Sequence, residues 1–135
     1  EKEIIRIVDE KLKKDGIHFA PNIPAKKAKN LTKHAHIPSD EKIIVLWDCT
    51  VFGSADNGLA ITTKGLRCHN DWSGKTSGAQ FVTWPTFMST SLEYSSYDLK
   101  ISPGIYWNTA GASTSTSNFL ECLKALQAGL GPFMH

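Results

Sequence analysis

Apolar positions recur along this chain with two different periods, and the change from one to the other organises it. Ile4, Ile5, Val8 and Leu12 fall on one side of a helix with about 3.6 residues per turn, while Glu3, Arg6, Glu10, Lys11, Lys13 and Lys14 occupy the rest. That spacing predicts an amphipathic helix stopped by Asp15 and Gly16. Residues 17–24 hold two prolines and read as an extended linker, after which Pro24 suits the first turn of a second short helix, AKKAKNLTKHA. Ala25, Ala28 and Leu31 are its expected inner stripe.

From Lys42 the pattern becomes that of strands. KIIVLWDCT is rich in β-branched residues and too apolar for a strand with one wet face, so a central strand covered on both faces is expected. Asp56, Asn57 and Gly58 supply residues suited to positive φ in a tight turn. Leu59–Thr62 and Leu66–His69 bracket Thr63, Lys64 and Gly65 as a hairpin. The stretch NDWSGKTSG reads as a polar loop leading to a strand Gln80–Trp84, which Pro85 confines to an edge or an end. Leu92–Ile101 and Gly104–Thr109 are two further strand candidates, joined by a turn at Ser102, Pro103 and Gly104. TAGASTSTS has no side chain expected to anchor in a core and reads as a loop. Asn118 with Glu121 predicts the start of a last helix, whose stripe is Phe119, Leu120, Leu123, Leu126 and Leu130.

Consecutive short strands without intervening helices argue against a parallel βαβ sheet. The expected fold class is α+β, mainly β: a curved antiparallel sheet or partial barrel, capped by a C-terminal helix and preceded by N-terminal helices. Residues 1–41 form a helical segment expected to pack on a domain spanning 42–135. At 135 residues, with 41% hydrophobic and 21% charged side chains, the chain is long enough to bury a core and too apolar for a disordered polymer.

Charge adds little. Net charge is +2, and the surplus sits in residues 1–42, with ten basic and seven acidic side chains, against five and six in the remainder. Such a balance does not by itself imply a polyanion partner. Cys49, Cys68 and Cys122 are odd in number, widely spaced and lack a C-x-x-C, which fits neither a disulfide framework nor a tetrahedral zinc site and predicts a reducing, cytoplasmic location. No apolar run approaches the roughly 18–20 residues of a membrane span.

Residues 45–66, VLWDCTVFGSADNGLAITTKGL, combine a strand ending D-x-T, a G-S-A-x-x-G turn and a second strand ending T-x-x-G. The residues concerned are Asp48, Thr50, Gly53, Ser54, Gly58, Thr62 or Thr63, and Gly65. This stretch resembles a bacterial pleckstrin-homology-like domain, and the later Phe81–Trp84 strand and C-terminal helix extend the likeness over residues 42–130. The resemblance implies a pleckstrin-homology-like domain for 42–135 and an accessory module of unassigned role. A fold alone carries no function.

Each candidate for chemistry has a structural alternative. Asp48 and Thr50 share a strand face with Leu46, so Asp48 is either a catalytic carboxylate or, as Asp near tight turns commonly is, an acceptor for backbone groups of the Gly53–Ser54 turn. Cys49, Cys68, His69 and Asp48 are residue types of a thiol or hydrolytic centre. Neighbours on a strand face opposite ways, however, which separates Cys68 from His69 and favours small core thiols and an exposed imidazole. His34 and His36 flank Ala35, but a helix end splays such a pair and no third ligand is near, so no metal and no cofactor is expected.

Lys26, Lys27, Lys29 and Lys33, with His34 and His36, form the one basic cluster. It suits either a solvated helix face or anionic lipid or nucleic acid, but no interleaved aromatic or groove motif accompanies it. Trp72 and Lys75 lie in the polar loop, and a large ring there is a candidate anchor for a partner. The expectation is a non-catalytic accessory module that recognises a protein partner. The alternatives are an immunity or antitoxin-type protein neutralising a toxin, and a small hydrolase or thiol enzyme using Asp48, Cys68 or His69.

Overall fold

In the computed structural model, residues 2–12, 16–50, 55–71, 75–112 and 114–131 are described. They comprise α1 (Lys2–Lys11), β1 (Ile17–Phe19), α2 (Ala25–Ala35), β2 (Ile43–Asp48), β3 (Gly58–Thr62), β4 (Gly65–Asn70), β5 (Gly78–Thr83), α3 (Trp84–Met88), β6 (Tyr94–Ser95), β7 (Asp98–Ser102), β8 (Ile105–Asn108) and α4 (Thr116–Leu130). The fold is α+β. β1 to β5 form one antiparallel sheet in sequence order, and β6 to β8 form a second, also in sequence order. Neither sheet closes into a barrel.

β2 is the central strand that its composition predicts, with β1 on one side and β3 on the other. Its odd-numbered side chains Val45 and Trp47 enter the main core beside Leu59 and Ile61 of β3 and Leu66 and Cys68 of β4. The second sheet, α1 and α4 complete that core from the far side. Trp47 stacks on Trp107 of β8 at 5.4 Å and 15°, and Phe119 of α4 meets both rings at 5.4 and 4.7 Å, so three aromatics pin together two sheets and a helix. α1 lies on α4 at Gly129, where an added Cβ would stand 2.5 Å from Ile7 Cδ1.

The opposite face of the large sheet carries a smaller apolar cluster, with Leu31 and Ala35 of α2 and Ile37 seated on Leu46 and Ala60. Lys27 near the start of α2 reaches Asp48 on β2, while His34 near its end meets His69 on β4, so the helix runs across the strands. Its inner residues are Leu31 and Ala35, and Ala25 is exposed where a buried stripe was expected.

Several local expectations are corrected. Ile17–Phe19, within the expected linker, pairs antiparallel with β2. Gly58 sits inside β3, and the positive φ in the preceding segment belongs to Ala55 at 62°. What Gly58 provides is close approach, since a Cβ there would stand 2.2 Å from the Trp47 carbonyl oxygen. The strand expected over 92–101 is two strands, β6 and β7, around a turn in which Ser96 has φ 57°.

Trp84 and Pro85 begin α3 instead of ending a strand, with proline in the first turn, where its missing N–H costs nothing. Helix α4 starts earlier than Asn118: Ser115 is the N-cap and its side chain accepts from the Asn118 amide. The small polar loop before it is anchored after all. Thr109, Thr114 and Thr116 are buried, Thr109 and Thr116 share a hydroxyl hydrogen bond of 2.6 Å, and Gly111 packs against the Cys49 carbonyl.

Candidate functional site

The chemistry-bearing residues concentrate where α2 crosses the large sheet. Antiparallel register aligns Asp48, Gly58 and His69 in one row, whose two side chains face α2 and meet Lys27 and His34. Asp48 is almost fully buried, and both of its oxygens are occupied. Oδ1 accepts from the Thr50 amide at 2.9 Å and the Thr50 hydroxyl at 2.5 Å, and Oδ2 accepts from Lys27 Nζ at 2.8 Å. Thr50 Oγ1 in turn accepts from the Ala55 amide at 3.2 Å.

Burial alone would raise the Asp48 pKa. The bonds from Lys27 and Thr50 outweigh it and hold the carboxyl below its ordinary value. The structural alternative for Asp48 therefore has a defined form, with Thr50 and Lys27 as donors; Gly53 and Ser54 lie outside the described residues.

At the other end of the row His34 and His69 meet edge to face, 5.3 Å apart. His34 Nδ1 is 2.8 Å from the Asn30 carbonyl oxygen, which can only accept, so that nitrogen carries a proton. His69 Nδ1 lies 2.7 Å from Asn57 Oδ1. Burial, then the neighbouring His34, lowers the His69 pKa. His18, on β1, is lowered likewise, by burial and then by the Lys27 charge.

The cysteines are elsewhere. Cys49, Cys68 and Cys122 are free and buried in the main core, and burial raises all three thiols, Cys68 and Cys122 to about 12. Cys68 and His69 face opposite sides of the sheet, as alternation requires. Among the described residues no group of three or more His, Cys, Asp or Glu is placed to hold a metal ion.

A second ionic cluster, absent from the sequence reading, lies further down the same face. Glu41, 8% exposed, accepts from Arg67 Nε at 2.6 Å, from another guanidinium nitrogen at 2.9 Å and from the Thr62 hydroxyl at 2.6 Å. Burial pushes its pKa up, and the Arg67 and Thr62 bonds bring it below the ordinary value. The Arg67 guanidinium also lies 3.7 Å from the centre of the Phe81 ring, on the outermost strand β5. Only the β4–β5 register reveals this grouping, because 41, 67 and 81 are far apart in sequence and polar partners of a buried Glu carry no local signature.

The basic cluster divides. Lys27 points inward to Asp48, while Lys26, Lys29 and Lys33 remain exposed. Lys75 donates its amide to Asp98 Oδ1 at 3.2 Å and holds its ammonium 4.8 Å from the Tyr106 ring centre, which lays residues 75 and 76 against the small sheet. Trp72 lies outside the described residues. Asn70, read as the start of a loop, is instead a buried fastener: it donates to the Thr76 and Tyr106 carbonyls at 2.6 and 2.7 Å and accepts from the Asn108 amide at 2.8 Å, joining β4 to β8.

An open cleft of about 330 Å³ lies beside β2, lined by Pro21, Ile23, Ala28 and Ile43, with Glu41 at its edge already engaged by Arg67. Among the described residues, the large apolar side chains left on the surface are Phe81 at 38%, Tyr94 at 45% and Tyr97 at 58% exposure. No helix of the described residues is long and apolar enough to cross a membrane.

Comparison with protein-family models, with curated proteins and with solved structures gives no match to this chain.

Proposed function

We propose that this chain is a non-catalytic module of pleckstrin-homology-like architecture that recognises a protein partner. Its element order supports the architectural part: the β2–β5 meander of four strands, then the β6–β8 meander of three, then one long helix packed on the core. The functional part rests on one contrast. Among the described residues, Asp48 is engaged and the three cysteine thiols are buried inside the fold, while three large aromatic residues stand at the surface. A buried carboxylate bonded at both oxygens by Lys27 and Thr50 is poorly placed to meet a substrate, and thiols raised by burial hold little thiolate near neutral pH. Exposed aromatics are, in contrast, the commonest anchors of protein interfaces.

The test is site-specific photo-crosslinking in the cells from which the protein comes, with a photoreactive phenylalanine replacing Phe81, Tyr94 or Tyr97 in turn and exposed Lys124 as the control position. A discrete adduct with one polypeptide from at least one aromatic position, and none from position 124, is expected. Absence of an adduct at all three positions contradicts the proposal.

A further inference from the structure

Within the reading of the chain as a protein-recognition module, on which this inference rests, we infer that the cleft between α2 and the start of β2 seats an apolar anchor side chain of the partner, flanked by carboxylates that meet lysines of α2. The occupant is a short acidic segment of another polypeptide, built around one branched aliphatic residue. The cleft, of about 330 Å³, is open and walled by Pro21, Ile23, Ala28 and Ile43. Ile23 and Ile43 are only half-buried against the smaller apolar cluster, so covering their free sides is favourable.

The cleft is built for an anchor side chain and not for a small polar ligand. Glu41, at its edge, is neutralised by Arg67, and Lys42 beside it is bonded through its backbone to Thr63. Among the described residues the buried side-chain polar atoms without a partner, on His18, Trp47, Trp107 and Thr114, belong to none of its walls. Small-molecule sites combine an enclosing apolar wall with a few convergent polar groups, and this cleft has an open wall without them.

The charge of the occupant follows from α2. Lys29 is the immediate neighbour of Ala28, and Ala25, Ala28, Lys29 and Thr32 share one face of the helix by their i, i+3, i+4, i+7 spacing. A segment anchored beside Ala28 therefore passes within reach of the Lys29 ammonium, with Lys26 one turn before it. Lys26 and Lys29 are exposed and make no ion pair among the described residues, whereas Lys27 is held by Asp48. Their positions also work against the helix. α2 has no acidic residue in its first turn, where Lys26 and Lys27 meet the positive end of the helix dipole, and Lys29 stands i, i+3 from Lys26 and i, i+4 from Lys33. α1 shows the opposite arrangement, with Glu3 in its first turn and Lys11 in its last. The Asp48 pair explains Lys27. Nothing within the described residues explains Lys26 and Lys29, and carboxylates on a partner supply their counter-charge.

The probes are three synthetic peptides titrated into the whole chain at low salt: Asp-Glu-Leu-Glu-Asp with both ends blocked, the same peptide with Ser for Leu, and the same peptide with Lys at every acidic position. Isoleucine methyl NMR reads Ile23 and Ile43 directly. The acidic leucine peptide is expected to shift both methyl signals and to bind about tenfold more tightly than either of the others, the scale of one covered aliphatic side chain or of two rim ion pairs turned into repulsions. Ala28→Leu, which fills the cleft with another good helix former, should weaken the acidic leucine peptide to the level of the serine one. Lys26→Glu with Lys29→Glu should reverse the preference between acidic and basic peptides, and a melting curve matching the parent's shows that each variant is folded.

Equal affinities for the three peptides, no binding of any, or shifts confined to isoleucines outside the cleft overturn the inference. So does a native mass spectrum showing a dimer whose Ile23 and Ile43 signals move on dilution, since the occupant is then a second copy. A photo-adduct at Phe81, Tyr94 or Tyr97 without peptide binding leaves the recognition function standing and removes the cleft from it.

Discussion

The two faces of the large sheet are held in different ways. On one, Trp47, Leu59, Ile61, Leu66 and Cys68 meet α1, α4 and the small sheet in a continuous apolar core. On the other, α2 rests on a handful of small apolar contacts and is tied down by the Lys27–Asp48 pair, with Glu41 and Arg67 gripping the same face lower down. Burial of apolar surface is insensitive to pH, whereas an ion pair within hydrogen-bonding distance depends on both partners staying charged. The core face sets how stable the molecule is, and the α2 face sets how that stability responds to conditions.

The largest effect is expected from Trp47→Ala. It empties the point where both sheets and α4 meet and should cost about 3–5 kcal/mol in urea unfolding, with little dependence on pH between 5 and 8. Glu41→Gln probes the other face. It removes the charge facing Arg67 while keeping the shape, so a loss of about 1–3 kcal/mol is expected, together with faster amide exchange in α2 than in α1. A uniform change in exchange across the chain would blur the distinction between the faces.

Acid sharpens it without mutation. Asp48 and Glu41 have folded pKa values held below their ordinary 3.8 and 4.5, so their contributions are complete above those values and vanish as pH falls through the depressed folded ones. His18 and His69 are lowered from 6.5 mainly by burial, so the folded state prefers them neutral and their contribution begins to fall as pH drops below that value. Both signs agree. Unfolding free energy should decline gently below pH 6.5 and more steeply below pH 4.5, with α2 losing exchange protection before α4. The smallest effect is expected at Arg6, whose pairs with Glu3 and Glu10 are exposed on α1: Arg6→Ala should leave the thermal midpoint unchanged within error.

Much of the apolar face was legible in advance. Val45 and Trp47 on β2, Leu66 on β4 and the Phe119–Leu130 stripe of α4 are buried as their periods require, because burial of a face repeats regularly along the chain. The α2 face was legible only in part. Alternation placed Asp48 with Thr50 and separated Cys68 from His69, but nothing local marked Lys27, rather than Lys26 or Lys29, as the lysine that turns inward. That choice depends on where α2 lands on the sheet, as do the pairing of Glu41 with Arg67 and the clasp of Asn70 on β8. Turns were missed where a short segment does two jobs, as in β6 and β7, whose hairpin turns at Ser96 without glycine.

Equilibrium unfolding of Asp48→Asn, with and without Lys27→Met, tests most directly that this carboxylate fastens α2 to the sheet. Asp48→Asn alone should lose about 2–4 kcal/mol, and adding Lys27→Met should cost much less than it does in the native background, because the lysine no longer has a charge to meet. A native-like unfolding curve for Asp48→Asn, or strictly additive losses in the double variant, would contradict the account.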